Sequence, residues 1–87
     1  MKIKEGFVLR EVAGNYIVVA VGNAVKNFNA VITLNDTGAT LWSALEKGAT
    51  QPQLVQALLA EYEVSEEIAQ KDAKAFVEKL QKENLLD

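Results

Sequence analysis

The chain changes character at Leu34, and that break constrains the fold more than any other feature. Before it, β-branched and aromatic residues gather in short runs; after it, Ala, Leu, Gln, Glu and Lys dominate. The first third therefore reads as a sheet and the remainder as helices. Phe7 to Ala13 and Asn15 to Val21 are strand-like runs broken at Gly14, the mark of a hairpin. Gly22-Asn23 begins a looser connection reaching Lys26-Asn27. Phe28 to Leu34 is a further run. Phe28, Ala30, Ile32 and Leu34 fall on one face at period two, and Asn29, Val31 and Thr33 on the other. Connections this short favour an antiparallel meander with the last strand at an edge.

Helix boundaries are written more sharply. Asn35 caps a first helix in which Gly38, Leu41, Trp42 and Leu45 recur at helical spacing, and Gly48 suits a left-handed stop after it. Thr50-Gln51-Pro52-Gln53 has the form of a capping box, with Pro52 tolerated in the first turn. Leu54, Val55, Leu58, Leu59 and Tyr62 are the apolar stripe of that second helix. Ser65 caps a third. Glu66 and Glu67 at its start and Lys79 and Lys82 near its end match the helix dipole. Its apolar face runs Ile68, Ala69, Ala73, Phe76, Val77 and Leu80.

A length of 87 residues allows one small domain, spanning residues 1–87. With no cysteine there is no disulfide, thiolate nucleophile or Cys-bound metal; with no histidine the usual neutral-pH acid/base is missing. No Walker loop, G-x-S-x-G, H-E-x-x-H or calcium loop is present, so the expectation is a protein without catalysis, metal or cofactor. Nine cations against twelve anions, a net charge of −3, argue against nonspecific nucleic-acid binding, which needs cations to displace phosphate counterions. Tyr16 to Val21 is the longest apolar run, far short of the roughly 18 residues of a membrane span. Phe7-Val8-Leu9 meets Arg10 before a signal-peptide core can form, and the expected compartment is the cytoplasm.

Two features point beyond a bland domain. The first strand carries Arg10 and Glu11, charges that guard a sheet edge, whereas Phe28 to Leu34 carries neither charge nor proline. Such an edge is shielded by a helix of its own chain, or it takes up an extended peptide as an added strand. The second is Asp72, four residues after Ile68 and four before Phe76, on the apolar stripe of the third helix. It reads as a buried structural carboxylate satisfied by backbone amides or a helix start, or as a group at the mouth of a groove beside the sheet edge, where it meets a ligand's backbone or a basic side chain.

The stretch Leu34-Asn35-Asp36-Thr37-Gly38-Ala39-Thr40-Leu41-Trp42 resembles the opening of the first helix, L-N-E/D-T-A/G-x-x-I/L-W, in the PqqD-like family, named for pyrroloquinoline quinone biosynthesis protein D. The likeness runs on through Leu45, Gly48, Thr50, the Leu54–Leu58 stripe and Glu61-Tyr62. Asp72, Phe76, Leu80 and Leu85-Leu86 are similar to the family's D-V-x-x-F-L-x-x-L-x-x-x-G-L ending, and Arg10 also fits. Asn84 stands where the family has Gly, and Ala73 where a larger residue follows the Asp. These departures favour a relative serving a pathway other than the quinone cofactor's.

The resemblance implies an α+β, winged-helix-like domain: a three-stranded antiparallel sheet followed by three α-helices. It implies a recognition element for ribosomally made precursor peptides, whose leader docks as a strand and is presented to a modifying enzyme, frequently a radical SAM protein. The strand contribution would come from Asn29, Ala30, Val31, Ile32 and Thr33, and the helix wall from Asp72, Ala75, Phe76 and Lys79. Lys79 would attract leader carboxylates or serve only as a dipole partner. The rival readings are a winged-helix DNA-binding module, opposed by a Thr50–Tyr62 segment with no Lys or Arg, and a purely structural or regulatory subunit. The same bare edge also permits a homodimer.

Overall fold

In the computed structural model, which describes residues 1–27 and 32–87, the break at Leu34 is the boundary between sheet and helices. The elements run β1 (Phe7–Val12), β2 (Asn15–Ala20), a 3-10 helix (Gly22–Asn27), β3 (Ile32–Leu34), α1 (Asp36–Glu46), α2 (Gln51–Glu61) and α3 (Glu66–Lys82). This is the winged-helix-like α+β arrangement, with antiparallel strands in the order β1-β2-β3. Ala13 and Gly14, both at positive φ (51° and 82°), make the two-residue turn between β1 and β2. That backbone matches the twist of a hairpin, and glycine adopts it without strain. The connection after β2 is a helical turn rather than an open loop, a feature with no periodic signal in so short a segment.

Register decides which side chains enter the core. Val18 lies opposite Leu9 and Ile32, and Tyr16 opposite Leu34. Val18, Ile32 and Leu34 are buried in one cluster with Leu41, Trp42, Leu45, Leu54, Leu58, Phe76 and Leu80 of the helices. Full burial of such side chains is worth about 1.5–3 kcal/mol each. Thr33, on the alternate face of β3, is exposed.

All three expected caps form. Asn35 Oδ1 accepts the Gly38 N–H at 2.8 Å, and Ser65 Oγ accepts the Ile68 N–H at 3.2 Å. Thr50 and Gln53 exchange both bonds of a capping box. Gly48 (φ 89°) and Asn84 (φ 62°) end their helices in left-handed conformation. The terminal segments brace each other: Ile3 bridges Leu86, the Lys4 N–H donates to the Leu85 carbonyl at 2.9 Å, and the Asp87 N–H to that of Lys2 at 3.0 Å.

Candidate functional site

β3 pairs with β2 and, among the described residues, with no strand on its other side. In an antiparallel pair, residues exchanging both bonds with the neighbour alternate with residues whose N–H and C=O point away from it. The outer edge of Ile32–Leu34 therefore presents main-chain groups to an incoming strand. β1 is the opposite edge of the same sheet.

Beside the β3 edge lies a cleft of about 420 Å³. Thr33 and Leu34 line it from β3, Asn35, Thr37, Gly38 and Leu41 from the opening of α1, and Asp72, Ala75, Phe76 and Lys79 from α3. Gly38 is what lets the three elements close up. A Cβ there would lie 3.0 Å from Asn35 Oδ1, 3.3 Å from Leu34 Cβ and 3.4 Å from the Phe76 ring. The floor is apolar and buried, with Leu34, Leu41 and Phe76 at 6%, 1% and 9% exposure.

Helical geometry explains the wall. The buried line of α3 runs Ala69, Ala73, Phe76, Val77 and Leu80. Asp72, Ala75 and Lys79 lie one step round the helix, on its exposed rim. Asp72 is thus not the buried structural carboxylate that its spacing from Ile68 and Phe76 allowed, because Ile68 itself is 50% exposed and marks the rim, not the core. Of the residues expected at the site, Thr33, Asp72, Ala75, Phe76 and Lys79 come together in the cleft. Ile32 sends its side chain into the core, leaving only its backbone for the edge. Asn29, Ala30 and Val31 lie outside the described residues.

Sequence reading missed the α1 contribution of Asn35, Thr37, Gly38 and Leu41. The signal was a glycine within a helical stripe, which marks close approach of another element.

On the other side of α1, a hollow of about 370 Å³ is lined by Leu9, Tyr16, Asp36, Ala39, Thr40, Ser43, Glu61 and Tyr62. The neighbouring Glu11 carboxylate, with lesser effects of desolvation, Asp36 and Tyr62, raises the Tyr16 phenol above its ordinary value. Among the described residues, no group of three or more Asp or Glu side chains is arranged to hold a metal ion. No helix among the described residues is long and apolar enough to cross a membrane.

A sheet edge flanked by a helix-walled cleft on a winged-helix-like frame defines a class of domain that can receive an extended chain. Residues 7–86 match the model of the family described as coenzyme PQQ synthesis protein D (PqqD), and the chain belongs to that family of non-catalytic leader-peptide-recognition domains. Two solved structures share its fold. One, TbiB1 in complex with the TbiA(beta) leader peptide, is 25% identical with a TM-score of 0.79, over 100% of this chain and 95% of that one. The other, lasso peptide synthetase B1 complexed with the leader peptide, is 23% identical with a TM-score of 0.74, over 97% and 93%. No curated protein sequence is significantly similar to the chain.

Proposed function

We propose that the chain binds the leader of a ribosomally made precursor peptide by β-strand addition and presents it to a modifying enzyme. The observation that carries this reading is the coincidence of a β3 edge that has no partner strand among the described residues with the α3-walled cleft beside it. Main-chain bonds along Ile32–Leu34 supply affinity without regard to sequence, while side chains entering the cleft supply selectivity. Family membership and the leader-bound state of the two similar structures support the same ligand class.

The PqqD resemblance favours a radical SAM enzyme as recipient. The likeness to a lasso peptide synthetase component favours a second recipient class, the lasso-peptide-forming enzymes. Co-purification with the enzymes encoded beside the gene separates the two. The DNA-binding reading has no support in α2, which contains no cation.

Isothermal titration with leader peptides encoded beside the gene tests the ligand class and the mode together. A native leader binds saturably, and a copy N-methylated at alternate amides, in the phase that faces β3, loses binding. Equal affinity of the methylated and native peptides would contradict strand addition, because methylation removes the donors that the added strand needs.

A further inference from the structure

The cleft holds two charged side chains of opposite sign. Asp72 and Lys79 both line it, both are exposed, and neither forms a salt bridge among the described residues. Seven residues apart on α3, they project from nearly the same side, because seven residues return to within about 20° of two full turns. Their separation along the axis is about 10.5 Å. Between them, Ala75 leaves room above the buried Phe76 ring and Leu34.

An extended peptide on the β3 edge places every second side chain on the cleft side. Same-face residues recur at about 6.7 and 13.4 Å. For an added strand that runs alongside α3, the longer interval, less about 3 Å taken up by the flexible Lys79 stem, spans the two charges, and the residue midway sits over Ala75 and Phe76.

We propose that the cleft reads the charge order of the peptide that it takes up. Asp72 receives a basic side chain and Lys79 an acidic one, four positions apart, on either side of an apolar residue seated over Ala75 and Phe76. This rests on the strand-addition reading. The hydrogen bonds to β3 fix the direction of the added strand, so one order of charges meets its partners and the reversed order sets like against like at both ends. The ligand class is thus an extended leader segment with the pattern charge, x, apolar, x, opposite charge.

Three labelled peptides with one alternating Thr-rich background test it. The first carries Lys, Leu and Glu at the three same-face positions, the second Glu, Leu and Lys, and the third Thr, Leu and Thr. On the wild-type chain one charged order binds about tenfold tighter than the other, the expected sum of two exposed pairs made right or wrong. The neutral peptide falls between them. The double variant Asp72→Lys/Lys79→Asp inverts the preference between the two charged orders. Both substitutions are on the exposed rim, and circular dichroism checks that the helices persist. In 1 M salt, where screening reaches about 3 Å, the preference collapses while neutral binding persists. Equal binding of the two charged orders overturns the charge-order inference and leaves strand addition standing. Failure of all three peptides to bind overturns strand addition itself, and the inference with it.

Discussion

The two edges of the sheet are built differently. β1 ends in three exposed residues, Arg10, Glu11 and Val12, and of its residues Leu9 alone lines the hollow beneath α1 and α2, while none lines the α3-walled cleft. β3 has two of its described residues, Ile32 and Leu34, buried, and Thr33 and Leu34 form one side of a cleft closed by α1 and α3. Both are outer strands of the sheet among the described residues. What separates them is charge on one and a wall on the other: charge repels stray strands, whereas a wall gives an incoming strand side-chain contacts that pick it out.

The largest effect comes from removing the wall. Phe76→Ala is expected to cost about 3 kcal/mol in urea unfolding, because the ring joins the core as well as lining the cleft. Phe76→Leu costs less than about 1.5 kcal/mol yet weakens leader binding in titration. If Phe76→Leu bound leader as well as wild type, the wall would not be what distinguishes the β3 edge.

A matched pair of caps gives a smaller effect. Asn35→Ala and Ser65→Ala each remove one N-cap bond, at about 1 kcal/mol of stability. Only the first lines the cleft, so only the first lowers leader affinity. On the guarded edge, Arg10→Thr with Glu11→Thr leaves leader affinity within about twofold, as surface changes remote from a site do. The same variant self-associates more strongly at high concentration, measured by light scattering.

Tyr16→Phe is the smallest change and is confined to alkaline pH. The folded chain holds the Tyr16 proton more tightly than the unfolded chain, chiefly because of Glu11, so protonation of Tyr16 favours folding. Its contribution is complete below the ordinary value of 10.0 and is lost as pH rises through the higher folded value. Tyr16→Phe flattens that part of the stability curve, read by thermal melts across the range.

Much of the frame was legible because it is set by local chemistry. Asn35, Thr50 and Ser65 announce their helices, since a side-chain oxygen three residues before a free amide is a local arrangement. The alternation of Ile32, Thr33 and Leu34 gave their faces for a similar reason. The cleft was half legible. Its α3 wall came with the family resemblance, helical spacing showing only that those residues share a stripe. The depth of Asp72 was not legible, because a position beside an apolar stripe belongs to core or rim according to which neighbouring element covers it. The α1 contribution depends on Gly38 meeting Phe76, a contact between residues far apart in sequence that no window of the chain contains. The pairing of Ile3 with Leu86 was invisible for the same reason.

Amide hydrogen exchange on the chain with and without a saturating leader peptide encoded beside its gene tests strand addition most directly. Protection is predicted to rise along Ile32–Leu34 at alternate amides, with Phe7–Val12 unchanged. Protection that rises along Phe7–Val12 instead, or in the helices with β3 unaltered, would contradict the account.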